Sequence, residues 1–203
     1  KEVYVQKDVE YYKYETGHLR KDGMPGFNTP TGRIELWSTM FSQFGEDPLP
    51  YFEKPRWDET SHPELAEEYP LMVTTGARDY TSFHSEHRQS KMLREIKEYP
   101  YVQMNPELAE QIGVIDGDWV RIENPWGHCY EKAKVTPIVK PNVVMADHGW
   151  WYPEEDPNEP HLYGVWRSNI NSLIPHQAIG RIGFGAPFKN VICKVYKVDS
   201  LDD

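Results

Sequence analysis

The sequence predicts a mainly β fold with short helices that closes on itself as a barrel. Three observations point there. Short apolar, strand-like stretches recur from Tyr69 to Val198. Seventeen Pro and fourteen Gly supply turns between them. Helix signals are few and brief. Closure is the economical arrangement for such strands, because it leaves no sheet edge exposed.

The elements follow in chain order. Residues 1–67 mix polar residues, Tyr and Pro without sustained period and read as a linker or tail from a preceding domain. Within them, Ile34, Leu36 and Ser38 alternate with Arg33, Glu35 and Trp37 after the Thr31-Gly32 turn, which predicts a short strand. The barrel is expected over 68–200. Leu71-Met72-Val73-Thr74 is a buried-strand signal ending at Gly76. Residues 89–98 suggest a helix with Met92, Leu93 and Ile96 on one face. Tyr101 to Met104 is a strand. In Asn105-Pro106-Glu107-Leu108-Ala109, Asn105 can cap a helix whose first position Pro106 fits, and Gly113 can end it. Asp116-Gly117 turns into Trp119–Glu123. The Asn124-Pro125-Trp126-Gly127 loop leads to a strand through Val135, and Val139 to Ala146 and Val191 to Val198 supply two more. Residues 150–190 lack period, but Trp150, Trp151, Tyr163 and Trp166 favour an ordered, functional loop.

The net charge of −10 argues against general nucleic-acid binding, which needs a basic footprint. No apolar run reaches the roughly 18 residues of a membrane span. No signal peptide is visible, and a chain that begins with Lys1 reads as a fragment. Cys129 and Cys193 lie in apolar, strand-like stretches and read as buried free thiols.

Three stretches could carry chemistry. In the first, Thr75-Gly76-Ala77-Arg78 precedes Phe83-His84-Ser85-Glu86-His87-Arg88. Gly76 permits close approach of backbone to a ligand, and Arg78 offers a fork of donors to a phosphate or planar heterocycle. An ordinary surface loop with ion pairs explains the same residues equally well. His84 and His87 invite a metal reading, but no third ligand stands nearby and no protein-bound metal is expected. In the second, His148-Gly149-Trp150-Trp151 could wall a ring-shaped ligand or form a packed aromatic corner. In the third, Ser168-Asn169-Ile170-Asn171, followed by Gln177, has amides that can read a purine edge or merely make turns. A P-loop, a Rossmann turn and a nucleophile elbow are all missing, and no catalytic pair stands out.

Taken in order, these motifs resemble the C-terminal domain of the dimethyl sulfoxide reductase family of molybdenum and tungsten enzymes. The likeness runs through Thr75-Gly76-Ala77-Arg78, the Phe83-His84-Ser85 loop, Gln103-Met104-Asn105-Pro106-Glu107-Leu108-Ala109, Ile112-Gly113-Val114-Ile115-Asp116-Gly117-Asp118, Gly149-Trp150-Trp151, Asn169-Ile170-Asn171-Ser172-Leu173 and the last strand. The Phe-His-Ser-Glu-His-Arg and Gly-Trp-Trp forms look closest to the thiosulfate, polysulfide and arsenate reductase branch, with the transhydroxylases and hydratases similar there too. The resemblance implies a six-stranded double-psi β-barrel, like that of aspartate decarboxylase, that binds a molybdenum or tungsten bis(molybdopterin guanine dinucleotide) cofactor.

The cofactor-facing positions so implied are Thr75, Gly76, Ala77, Arg78, Tyr80, His84, Ser85, Asn169, Asn171, Gln177, Phe188 and Lys189. The metal ligand, any iron–sulfur cluster and most of the substrate pocket would lie in preceding domains of the same parent chain. An electron-transfer subunit would be a further partner, and a twin-arginine export signal, common in the family, would also lie upstream. A non-catalytic interaction barrel, and a domain of a non-redox hydratase or transhydroxylase, are the alternative readings.

Overall fold

Alternation along each strand builds the core. Leu71 and Val73 of β1 (Leu71–Thr75), Val102 and Met104 of β2 (Tyr101–Met104), and Val120 and Ile122 of β3 (Trp119–Asn124) are buried, with half-exposed residues between them. Cys129 and Ala133 of β4 (Gly127–Val135), Val144 and Ala146 of β5 (Val143–Ala146), and Val191, Cys193 and Val195 of β6 (Val191–Lys197) complete one interior cluster. A period of two puts each set on one face, and burying that face from six strands at once requires closure.

The computed structural model describes residues 12–76, 79–176, 185 and 189–201. The strands close in the order β1-β5-β2-β4-β3-β6. Two neighbouring pairs are parallel, β1 with β5 and β2 with β4, and the remaining pairs are antiparallel. This crossed, closed arrangement is the double-psi barrel. Cys129 and Cys193 are free thiols in its interior, as expected. Among the described residues, no helix is long and apolar enough to cross a membrane.

The registers decide where the loops emerge. Thr75 lies opposite Ala146, Ala146 opposite Val102, and Val73 opposite Val191. The ends of β1 and β5, the starts of β2 and β6, and the β3–β4 turn therefore share one mouth. A 3-10 turn at Ile170–Leu173 buries Ile170 and Leu173 in that mouth. The opposite end is closed by α5 (Pro106–Gln111), whose Leu108 and Ala109 enter the core. There Asn105 caps through its Oδ1, which accepts from the Glu107 amide at 3.0 Å, and Gly113 takes a left-handed φ of 68°.

The chain divides into two units, Lys1–Glu53 and Lys54–Asp203. The first holds α1 (Lys13–Thr16) and α2 (Thr39–Gln43). The strand expected after Gly32 is not there. The Glu35 carboxylate accepts from the hydroxyls and amides of both Thr31 and Thr39, which folds the stretch into a tight turn. Alternation without a neighbouring strand to pair with does not make a strand. The second unit includes α3 (Pro63–Ala66) and Trp57, which pairs with Val191 and accepts from the Ile192 amide at 3.1 Å.

Two further expectations are corrected. The 89–98 stretch is helical only over α4 (Lys91–Ile96), and two of the apolar residues on its one face lie open, with Met92 73% and Ile96 56% exposed. The strand expected from Val139 starts at Val143, after Pro141, whose missing N–H cannot join a ladder.

Buried Asn124 ties the mouth together. Its Nδ2 donates to the Leu173 carbonyl (2.8 Å) and the Ile192 carbonyl (3.3 Å), and its Oδ1 accepts from the Trp126 and Gly127 amides. Asn124→Ala strands these buried partners. It is expected to cost about 2–3 kcal/mol, read as a fall in the urea midpoint.

Candidate functional site

Two clusters form at the mouth from residues singled out in the sequence. In the first, Thr75 is buried at the end of β1, and the Lys189 Nζ donates to its carbonyl (2.5 Å) and hydroxyl (2.9 Å). Gly76 follows, with its amide donating to the Ala146 carbonyl. A Cβ at Gly76 would lie 3.0 Å from the Met145 sulfur, so a side chain there is resisted from the β5 side.

In the second cluster, His84 takes a left-handed φ of 56° and brings its Nδ1 to 3.2 Å from the His148 Nε2. The Trp151 Nε1 donates to the Ser85 carbonyl at 2.6 Å. Gly149 has φ 64°, and a Cβ there would sit 3.1 Å from that of Ser85. Glycine thus permits both the turn and the close approach. The loop after β1 and the loop after β5 form one surface, which the sequence had offered as separate stretches.

Beneath these loops lies a charged layer. The Lys97 Nζ donates to the Asp79 Oδ2 at 2.6 Å and lies 2.6 Å from the Asp147 Oδ2. Asp147 also accepts from the Tyr101 amide (2.8 Å). Burial alone would raise the Asp79 carboxyl, but Lys97 and the hydroxyl and amide of Thr81 outweigh it and hold the pKa down at about 2. The buried Arg88 guanidinium stacks 3.8 Å over the Trp150 ring, and its Nη2 donates to the His84 carbonyl (3.3 Å). Burial, then the neighbouring His84, lowers the His148 pKa and favours a neutral ring. A groove of about 920 Å³ runs beside α4, lined among others by Arg88, Lys91, Arg94 and Glu154.

The remaining candidates are scattered. Tyr80 is 87% exposed on the first loop. Asn169 caps the Ile170–Leu173 turn by accepting from the Asn171 amide (3.1 Å), and Asn171 lies within that turn, anchored at the β3–β4 hairpin rather than in either cluster. Ala77, Arg78, Gln177 and Phe188 lie outside the described residues. Among the described residues, no three His, Cys, Asp or Glu side chains gather as a metal site.

Sequence reasoning missed Glu131, Asp147 and Lys97. Glu131 was findable, because it shares the interior face of β4 with Cys129 and Ala133. Lys97 and Asp147 carried no local signal.

A family model, the molydopterin dinucleotide binding domain, matches residues 71–192. The chain belongs to this family. It is 36% identical to a dopamine dehydroxylase of Eggerthella lenta over 85% of this chain and 19% of that protein. It is 28% identical to the dimethyl sulfoxide reductase DmsA of Escherichia coli over 97% of this chain and 24% of that protein. The solved acetylene hydratase of Pelobacter acetylenicus superimposes with a TM-score of 0.77 at 29% identity, over 89% of this chain and 25% of that one. The chain thus spans about a fifth to a quarter of the length of these relatives. It is a dinucleotide-binding domain of the dimethyl sulfoxide reductase family, as the motif order implied.

Glu131 is fully buried and its Oε2 accepts from the Asp147 amide (3.1 Å). Burial, then the nearby Asp147 carboxylate, pushes its pKa well above the carboxylate range, against the opposing pull of Lys97 and Arg88. A raised folded-state value means that its contribution to stability is whole below the unfolded pKa and is lost as pH rises toward the folded one. Glu131→Gln removes that loss. Its melting temperature is therefore expected to gain on the unsubstituted protein as pH rises from about 5 to about 8, a trend that thermal melts at several pH values would check.

Proposed function

We propose that this barrel holds one face of a molybdenum or tungsten bis(molybdopterin guanine dinucleotide) cofactor within a longer parent enzyme. In that chain, residues 1–67 lead in from a preceding domain and 68–200 form the binding domain. The observation that carries the reading is the joined surface at the mouth. There the loops after β1 and β5 meet through His84–His148 and Trp151–Ser85 in a chain whose family binds such a dinucleotide.

The donor set fits the group. The Lys189 ammonium at the Thr75 end suits an anionic edge, and Arg78, outside the described residues, has a guanidinium fork of the same chemistry. The imidazoles of His84 and His148 and the hydroxyl of Ser85 suit the polar edges of a pterin. Glycine at 149 lets the second loop approach Ser85 of the first, and Asn171 and Gln177 have the paired donor and acceptor of a purine reader. When bound, the cofactor supplies the metal centre at which the parent reaction occurs, and this chain binds and orients it. Metal ligand, substrate pocket and any iron–sulfur cluster belong to the preceding domains, as does the docking of an electron-transfer subunit.

Likeness to an acetylene hydratase favours a second reading of the parent, as a non-redox enzyme. The barrel serves either, because reaction class is decided outside it.

The test uses the parent enzyme isolated with its cofactor. Native mass spectrometry and metal analysis should find molybdenum or tungsten with guanine dinucleotide. Arg78→Ala and Asn171→Ala should each lower the bound content by about tenfold. Full content in both variants contradicts the residue assignment, and an unsubstituted enzyme without metal or pterin contradicts the function.

A further inference from the structure

Lys97 stands just past the end of α4, and nothing in the sequence marks it as special. Its ammonium is one of the most tightly held charges at the mouth. Only 14% of its side chain is exposed, and it lies 2.6 Å from a carboxylate on each of two loops. Asp79 belongs to the loop that leaves β1 and carries His84 and Ser85. Asp147 follows β5 directly and precedes His148 and Gly149. The two carboxylates come from strands paired in parallel, so both loops leave the barrel in the same direction and would carry their charges side by side. Without a cation between them, these charges would repel across a partly buried gap.

The other charged and titratable groups around Lys97 do not replace it. Tyr101 of β2 presents its ring at 6.0 Å and its amide to Asp147. Glu131 of β4 reaches the Asp147 backbone amide, which the Tyr101 carbonyl also accepts, so neither spans to Asp79. Arg88 is turned onto Trp150 and the His84 carbonyl. Asp79 is otherwise engaged locally, by the amide and hydroxyl of Thr81. Among these groups only Lys97 touches both loop roots.

We propose that Lys97 is a positioning residue for dinucleotide binding: its ammonium clamps Asp79 to Asp147 and so sets the gap between the two loops that face the cofactor. This rests on the function proposed above. Lys97 touches no cofactor in this account. It acts through the placement of His84, Ser85, His148 and Gly149.

The clamp predicts a pH signature that ordinary loss of structure does not. In Lys97→Met the two carboxylates face each other with no ammonium between them, and the Arg88 charge acts on both only from farther off. At low pH one takes up a proton and can hydrogen-bond the other, which restores the short gap. At high pH both ionise and the loops part. The experiment measures guanine dinucleotide and metal retained by the parent enzyme after gel filtration at a series of pH values. The unsubstituted enzyme should retain cofactor uniformly. Lys97→Met should retain about tenfold less at about pH 8 and recover much of it near about pH 5, and Lys97→Arg should restore retention at the higher pH.

A neutral triple variant, Asp79→Asn with Lys97→Met and Asp147→Asn, removes the repulsion and the clamp together. It should fold, retain less cofactor than the unsubstituted enzyme and show no pH dependence, and it decides the matter if Lys97→Met alone does not fold. Full retention in the triple variant, full retention in Lys97→Met at about pH 8, or an equal loss at every pH would each overturn the proposal. An unsubstituted enzyme devoid of cofactor would instead count against the function itself, so the two failures are distinguishable.

Discussion

The parallel pairing of β1 with β5, Thr75 opposite Ala146, is the constraint from which the mouth of this protein follows. Parallel neighbours end at the same side of a barrel, so their outgoing loops must leave together. In an antiparallel pair they would leave from opposite ends, and His84 could not meet His148. The pairing also has a cost. It brings Asp79 and Asp147 to one place, and a cation has to come from elsewhere. It comes from the end of α4, in the segment that connects β1 to β2.

The mouth combines two kinds of packing. Its floor is apolar, sealed by Ile170 and Leu173 over the strand interior. Above lies a layer of buried or half-buried charge in which Lys97, Asp79, Asp147 and Arg88 hold the loops by ion pairs, hydrogen bonds and stacking. Such layers add little net stability compared with an apolar core, because desolvation offsets the attraction. Their return is geometric. A carboxylate accepts from fixed directions, and an ammonium between two of them leaves each loop few positions. Glu131, fully buried beneath the layer with its carboxyl pKa pushed up by burial, extends it one strand into the barrel.

Local physics was legible from sequence and long-range physics was not. The cap at Asn105, Pro106 at the helix start and the stop at Gly113 are short-range events, and all three stand where the residues put them. Strand alternation was readable because burial on one face has period two. It misled over Ile34 to Ser38, where Glu35 bonds to Thr31 and Thr39 and, among the described residues, no strand pairs with the stretch. Motif order reached the family and the fold through resemblance, since no single loop was specific. Thr75 with Lys189, and His84 with His148, are separated by long stretches of chain, and only the registers reveal them as neighbours. The second loop was noticed for its aromatics, and it meets the first loop through the His148 imidazole as well as through Trp150 and Trp151.

Placing the cofactor at this mouth is the centre of the account, and hydrogen–deuterium exchange tests it most directly. The parent enzyme would be compared with and without its cofactor. Protection should rise over residues 76–90 and 147–176 when the cofactor is bound. The far end, where Pro70, Leu108 and Pro141 line a separate hollow, should be unchanged. Protection confined to that far end, or none at either, would contradict it.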